Sequence, residues 1–164
     1  GGIHVEPIVL YSKKVNDLES LKENSEIAIP NDPTNEGRAL LLLQSAGLIT
    51  LKESAGITAT PLDITDNPKK LKFREIEAAS LPRVLEDVDA AVINGNYAIP
   101  AGLKAEEDGI FIEGAESPYV NVIAVKDGNQ NAEEIITLVN TLKSEKVKEW
   151  IKSKYPNNEV VAVF

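Results

Sequence analysis

Short apolar runs that alternate with helical patterns restrict the fold of this 164-residue chain more than any other feature. Three such runs predict buried strands, at 7–12, 26–30 and 89–94. Helical patterns cover 36–47, which closes at Gly47, and 131–156, which is one long helix or two consecutive ones. Strands that alternate with helices favour an α/β fold in which helices cover both faces of a mostly parallel sheet. Ligands of such sheets bind beyond the carboxyl ends of the strands.

The composition excludes several classes of function. With 17 basic and 26 acidic residues the formal net charge is -9, so the surface should repel phosphate backbones, and nucleic acid is not an expected partner. The chain has no Cys and a single His, so we expect no thiolate chemistry, no metal site and no cofactor. Its apolar runs are far shorter than the roughly 20 residues that span a bilayer. It has no Gly-rich phosphate loop and no G-x-S-x-G or H-E-x-x-H motif, so a binding protein is favoured over an enzyme.

A polar connection joins a predicted strand to a predicted helix in the stretch AIPNDPTNEGRALLLL. Asn35 or Thr34 could cap the helix, which would leave other N–H groups of the first turn to face an anion. Arg38 follows Asn35 by about one helical turn, so the two side chains should lie side by side. A guanidinium in this place offers a planar fork for a carboxylate. Alternatively, Asn35 is a cap and nothing more.

Two other Asn residues stand out at or within predicted strands. Asn94 comes at the carboxyl end of the strand in VINGNYAIPAG, where its amide could both donate and accept hydrogen bonds. Asn121 is the only side-chain amide in the apolar run SPYVNVIAV, for which we predict a strand over 117–128. An unpaired amide buried in such a strand costs about 1–3 kcal/mol. We therefore expect a ligand, a neighbouring backbone group or a water to satisfy Asn121.

These residues also have purely structural explanations. Arg38 could be a surface residue that pairs with Asp32 or Glu36. The Asn-Gly-Asn sequence that begins at Asn94 is ordinary turn chemistry, and Tyr97 is more typical of packing than of binding. Spacing alone leaves these alternatives open.

Three stretches of the chain together closely resemble one family: AIPNDPTNEGRALLLLQ, DAAVINGNYA and ESPYVNVIAV, in this order and at this separation. The family is that of the methionine-binding lipoproteins of the NlpA/MetQ type, the substrate-binding proteins of bacterial ABC importers. The resemblance continues through REIEAASLPRVLEDVD and DGIFIEG and so covers nearly the whole chain. It implies a two-lobed, periplasmic-binding-protein-like fold of type II that holds an L-amino acid in its cleft.

The resemblance also implies which residues bind the ligand. In the family, the Arg of the N-E-G-R motif pairs with the ligand carboxylate, and this residue is Arg38. The Asn residues of the same three stretches hydrogen-bond the amino-acid end of the ligand, and here they are Asn35, Asn94 and Asn121. Tyr97 follows the family pattern and is expected only to line the cleft.

A division into lobes follows from the resemblance, with 1–12 as the crossover strand of lobe one, 13–115 as lobe two and 116–164 as the C-terminal part of lobe one. Family members carry a further N-terminal segment, with a signal peptide, a lipidated Cys and the residues that enclose the methionine side chain. In the family that segment precedes the stretch equivalent to GGIHVEP, with which this chain begins, so we interpret the chain as lacking it. The incomplete lobe one could be covered by a second copy of the chain, could be loosely ordered, or could be covered by the missing half of the lobe. We hypothesise the first, a domain-swapped homodimer.

The expected function is the capture of L-methionine or a close analogue at the outer face of the cytoplasmic membrane, with delivery to an ABC permease and its ATPase. A second possibility is another amino acid or a methionyl dipeptide, because the residues present contact only the common amino-acid end. A third is a truncated structural or interaction fragment that no longer binds. An enzyme would need a nucleophile or base in the cleft, and we identify none.

Overall fold

The computed structural model describes residues 2–114 and 119–164. The chain forms two compact units, of which the larger is Ile8–Glu113 and the smaller combines Gly1–Pro7 with Gly114–Phe164. The chain therefore passes from one unit to the other twice.

These bounds differ from the predicted ones. The prediction ended the crossover segment at residue 12, whereas the strand Val9–Tyr11 is hydrogen-bonded within the sheet of the larger unit. An apolar run predicts a strand but not the sheet that it joins, since the run carries no information on pairing. The assignment of 1–12, 13–115 and 116–164 to two lobes of a binding protein stays a prediction.

The described residues contain ten strands: β1 (Gly2–Val5), β2 (Val9–Tyr11), β3 (Glu26–Pro30), β4 (Thr50–Leu51), β5 (Ile64–Asp66), β6 (Lys72–Ile76), β7 (Ala90–Ile93), β8 (Gly109–Ile112), β9 (Asn121–Val122) and β10 (Val161–Ala162). The three strands predicted from the strongest apolar runs are confirmed. The strand predicted over 117–128 is reduced to β9, and residues 117 and 118 lie outside the described part of the chain.

The same described residues contain six α-helices: α1 (Pro33–Ser45), α2 (Leu81–Val84), α3 (Gly95–Ala98), α4 (Ala105–Asp108), α5 (Glu133–Leu142) and α6 (Glu145–Lys154). The helical pattern at 131–156 therefore forms two helices. As predicted, α1 closes at Gly47, which has φ +72° and donates its N–H to the carbonyl of Gln44 at 2.9 Å. Across 2–114 and 119–164, no helix is long and apolar enough to cross a membrane.

The larger unit contains a five-stranded sheet in the order β6-β3-β7-β2-β8. β3 pairs in parallel with β6 and β7, whereas β2 pairs antiparallel with β7 and β8. Four of the five strands therefore run in one direction, and β2 runs against them. The predicted α/β fold is confirmed, although the sheet is mixed rather than purely parallel.

Side chains of this sheet alternate between two buried clusters, one on each face. Ile27 and Ile29 of β3 belong to the first cluster, together with Leu40 of α1. Ala28, which lies between them in the chain, belongs to the second cluster with Leu81 of α2. Helices thus cover both faces of the sheet, as the sequence predicts.

Polar residues follow the carboxyl ends of three strands of the sheet. Asp32 lies two residues after β3, Asn94 directly after β7 and Glu113 directly after β8. Because β3, β7 and β8 run in the same direction, these residues lie at the same edge of the sheet. This is the edge at which ligands bind in α/β sheets.

The smaller unit combines an antiparallel sheet, in the order β10-β1-β9, with α5 and α6. The hydroxyl of Ser144 caps α6 by accepting the N–H of Val147 at 3.4 Å. Ile151 of α6 is buried, whereas its neighbour Trp150 is 59% exposed. The described residues of this unit therefore form only a small core.

Candidate functional site

Asp32 begins helix α1. Its carboxylate accepts the N–H of Asn35 at 3.0 Å, and Pro33 occupies the first helical position. Proline suits this position because it has no N–H to leave unpaired and its φ is already helical. The prediction that Asn35 or Thr34 caps the helix was wrong, since both lie inside the first turn.

Arg38 is buried, with 9% of its surface exposed, and pairs with Glu113. Its Nε donates to Oε1 of Glu113 at 2.9 Å and its Nη2 donates to Oε2, which is the fork geometry of a bidentate pair. The alternative of a surface Arg that pairs with Asp32 or Glu36 was wrong, since Glu113 lies 75 residues away in the chain. Arg38 thus holds a carboxylate of the protein, and its predicted contact with a ligand carboxylate stays a prediction.

Backbone groups of Ile8 fix Glu113 from a second side. The N–H of Ile8 donates to Oε2 of Glu113 at 3.2 Å, and the N–H of Glu113 donates to the carbonyl of Ile8 at 3.0 Å. The Glu113 side chain is only 13% exposed. Sequence reasoning missed this residue, because a Glu that follows a strand carries no sign of a distant partner.

A row of hydrogen bonds joins Asp32, Asn35 and Asn94. Nδ2 of Asn35 donates to both carboxylate oxygens of Asp32, at 3.0 Å each. Nδ2 of Asn94 donates in turn to Oδ1 of Asn35 at 2.8 Å, across 59 residues of chain. Since Asn35 also lies one turn before Arg38 on α1, the fold places three of the five predicted site residues close together.

One polar atom of Asn94 has no partner. The residue is 7% exposed, and its Oδ1 is buried without a hydrogen bond to any described residue. The side chain makes no capping hydrogen bond to α3, and the N–H groups of Tyr97 and Ala98 donate to the backbone carbonyl of Asn94. A buried acceptor that is left unpaired costs about 1–3 kcal/mol. A ligand that donates a hydrogen bond to this oxygen would remove that cost.

Close packing explains the Gly of the N-E-G-R motif. A Cβ on Gly37 would lie 2.2 Å from the carbonyl oxygen of Ile57. Only Gly therefore allows the 3-10 turn Gly56–Thr58 to approach α1 so closely. This residue fixes the helix in place and need not touch a ligand.

Glu36, the second residue of the motif, is 8% exposed. Burial raises the pKa of its carboxyl, and the negative charges of Glu75 and Asp32 raise it further. Ionised Glu36 therefore destabilises the fold slightly at neutral pH.

Tyr97 and Asn96 of α3 differ in their surroundings. Tyr97 is partly buried and packs against the second core cluster, as its side chain suggested. Asn96 is exposed. The place of Tyr97 in a ligand cleft stays a prediction.

Asn121 lies in β9 of the smaller unit and is exposed. The inference that it is a buried amide was wrong, because an apolar run does not reveal whether a further layer covers the strand. β9 is two residues long and pairs with β1 at the edge of the described sheet. The role of Asn121 in ligand binding stays a prediction.

Two other features bear on what the described residues can bind. A cavity of about 370 Å³ within the smaller unit has mostly apolar walls, which include Ile3, Val122, Leu142 and Trp150. Nowhere in 2–114 and 119–164 does a group of three or more His, Asp or Glu residues lie close enough to hold a metal ion.

The whole chain, residues 1–164, matches a family model described as NlpA lipoprotein. It is 50% identical over 151 residues to the D-methionine-binding lipoprotein MetQ of Salmonella typhimurium, and 46% identical over 147 residues to the probable D-methionine-binding lipoprotein MetQ of Pasteurella multocida. These alignments cover 91% and 90% of this chain but only 56% and 53% of the two relatives. The chain thus spans about half the length of the curated relatives it matches.

A solved structure has the same fold. It is a nutrient binding protein from Burkholderia cenocepacia bound to methionine, which is 49% identical to this chain and superposes on it with a TM-score of 0.92. The superposition covers 100% of this chain and 69% of the other.

Proposed function

Because this chain belongs to the NlpA lipoprotein family, we propose that it is part of a substrate-binding protein that holds methionine by its amino-acid end. One observation carries the proposal: at the carboxyl edge of the larger sheet, Asn94 contacts Asn35 while its own Oδ1 is buried without a described partner. An amino acid supplies a donor for such an oxygen. The relatives whose names or titles mention methionine support the choice of ligand.

Arg38 is the proposed partner of the ligand carboxylate. Its Nε and Nη2 already bind Glu113, so a ligand carboxylate would either replace Glu113 on this edge or bind the guanidinium from another side. Either arrangement uses the same charge-assisted hydrogen bonds, which are stronger than neutral ones.

Asn121 and Tyr97 are the other two residues that the sequence predicts to take part in ligand binding. If Asn121 binds the amino-acid end, Asn121→Ala should weaken methionine binding about fivefold to tenfold, the effect of one lost hydrogen bond. Tyr97→Phe should have little effect, because this residue is proposed only to line the cleft. Unchanged affinity in Asn121→Ala would remove Asn121 from the site.

The binding experiment is a calorimetric titration of L-methionine and, separately, D-methionine. Both enantiomers are needed, because the sequence predicts L-methionine whereas two relatives are named for D-methionine. Arg38→Ala should weaken binding at least about 30-fold, as expected when one partner of a buried charge pair is removed. Arg38→Lys keeps the charge but loses the planar fork of the guanidinium, so its affinity for methionine should lie between those of Arg38→Ala and the wild type.

Arg83→Ala is the matched control, since Arg83 is an exposed Arg on α2 of the same unit. It should bind methionine as the wild type does. No heat from the wild type would favour a fragment that does not bind. Turnover of an amino-acid derivative that depends on Arg38 and the Asn residues would favour an enzyme.

Delivery to an ABC permease and its ATPase, at the outer face of the cytoplasmic membrane, belongs to the same proposal. The relatives named as lipoproteins support this location. Adding the methionine-loaded protein to the permease and ATPase in liposomes should stimulate ATP hydrolysis. Equal rates with and without the protein would contradict this role.

The domain-swapped homodimer stays a prediction. Exposed apolar side chains of the smaller unit, such as Ile136 and Leu138 at 47% and 45% exposed, are compatible with a covering surface. Light scattering measures the mass directly, and a compact monomer would contradict the dimer.

A further inference from the structure

Asp32 lies at one end of the row of hydrogen bonds that reaches Asn94. Its carboxylate accepts the backbone N–H of Asn35 and, with both oxygens, the Nδ2 group of the same residue. An ionised carboxylate can only accept hydrogen bonds. The end of the row therefore has a fixed polarity.

That polarity determines the orientation of both amides. Asn35 must turn its Nδ2 toward Asp32, since its Oδ1 in that place would face two negatively charged oxygens. Its Oδ1 then faces Asn94, which must present Nδ2 in turn, at 2.8 Å. Rotating the Asn94 amide by half a turn would set two carbonyl oxygens against each other. Asn94 consequently donates through Nδ2 to Asn35 and keeps its Oδ1 without a partner among the described residues, so Oδ1 can accept a hydrogen bond from a ligand.

The available acceptor is held firmly. Asn94 is 7% exposed, and its Oδ1 is buried without a partner among the described residues. Its side chain makes no cap to α3, whose first turn bonds to the backbone carbonyl instead. The side chain is thus aimed by Asn35, and indirectly by Asp32, rather than by its own helix.

We infer that Asp32 is a positioning residue that makes the site select ligands with an α-ammonium group. Building on the proposed function, this inference assigns the ammonium to Oδ1 of Asn94. The ammonium donates to this oxygen, whereas an analogue without the amino group leaves it buried and unpaired. A site built around a hydrogen bond discriminates strongly against analogues that cannot make it.

The test compares two probes, L-methionine and its des-amino analogue 4-(methylthio)butanoate, by calorimetry. The wild type should prefer methionine at least about 100-fold. Asp32→Asn has the same shape but no longer fixes the direction of the amides, so methionine affinity should fall about tenfold. The affinity of Asp32→Asn for the des-amino analogue should stay within about threefold of the wild-type value. The preference for methionine over the analogue should therefore fall. If Asp32 had a purely structural role, Asp32→Asn would lower the affinities for both probes by the same factor.

Asp17→Asn is the matched control. Asp17 accepts the N–H of Ser20 at 2.8 Å, so it makes the same kind of turn bond in the same unit. This variant should keep the wild-type preference. Asp32→Ser, which retains a capping hydroxyl, replaces Asp32→Asn if that variant does not melt cooperatively.

Each outcome decides a separate point. If the wild type binds methionine and Asp32→Asn lowers the affinities for both probes by the same factor, the inference is wrong while the proposed function stands. The same holds if the wild type binds both probes equally well, since a water would then satisfy Asn94. If the wild type binds no methionine, the proposed function itself fails, and the inference with it.

Discussion

Helix α1 of the larger unit and helix α5 of the smaller unit are both rich in apolar residues, yet only α1 buries them. Leu40 and Leu43 of α1 are fully buried, whereas Ile136 and Leu138 of α5 are 47% and 45% exposed. None of the residues of α5 is classed as buried in the described structure. An apolar stripe is thus enough to form a helix, but its burial depends on the surface that packs against it.

The two helices should accordingly tolerate substitution differently. α1 packs against a five-stranded sheet, in one continuous cluster of buried side chains. Interiors of this kind respond to the loss of even a few carbon atoms. Half-exposed side chains such as those of α5 contribute less to the free energy of unfolding.

The largest effect should come from Leu43→Ala, with Leu138→Ala as its counterpart on α5. Removal of the buried Leu43 side chain leaves a cavity and should lower the free energy of unfolding by about 2–5 kcal/mol. Leu138→Ala should lower it by less than about 1 kcal/mol. Urea denaturation measures both. Equal losses would mean that α5 buries Leu138 in solution, and the contrast between the helices would disappear.

A smaller effect is expected from Gly37→Ala. The new Cβ would clash with the carbonyl of Ile57, so we expect a loss of about 1–3 kcal/mol from overpacking. Gly114→Ala, in the smaller unit, is the control, because a Cβ at Gly114 meets no atom of the described residues within 4 Å. If Gly37→Ala left the free energy of unfolding unchanged, the turn at Ile57 would move away easily. The packing of α1 would then differ less from that of α5.

The smallest change in the free energy of unfolding should come from Glu36→Gln, in the first turn of α1. Its counterpart in the first turn of α5 is Glu134→Gln. Burial, followed by Glu75 and Asp32, raises the pKa of Glu36 in the folded state. The folded chain therefore binds this proton more tightly, and stability falls as the pH rises above about 4.3, the usual pKa of Glu. Glu36→Gln should remove that loss.

Thermal melts at pH 4 and pH 7 provide the measurement. Glu36→Gln should be more stable than the wild type at pH 7, by no more than about 1 kcal/mol, and should match it more closely at pH 4. Glu134 is exposed, so Glu134→Gln is the matched control and should change the free energy of unfolding by less than about 0.5 kcal/mol. The opposite sign for Glu36→Gln would mean that favourable contact with the helix N-terminus outweighs burial.

Local patterns predict much of the larger unit. The strand Glu26–Pro30 and the helix that closes at Gly47 follow from apolar periodicity and from the need for a positive φ at the helix end. The cap at Asp32 could also have been found, because an Asp directly before Pro33 is a common start of a helix.

Pairing and burial could not be predicted in the same way. The partner of Arg38 is Glu113, which depends on the order of strands in the sheet and not on any local signal. Asn121 was expected to be buried because its neighbours are apolar, but exposure depends on the layer opposite the strand. What sequence reasoning missed was therefore the surroundings of the residues that it had singled out.

The contrast between Asn94, which precedes α3, and Asn96, which lies in it, has a practical consequence. Asn96 is exposed two residues from the buried Asn94, and the chain contains no Cys. Asn96→Cys would therefore give the chain a single thiol, to which one environment-sensitive fluorophore could be attached. A change in emission on adding an amino acid would turn the protein into an optical reporter of its own ligand.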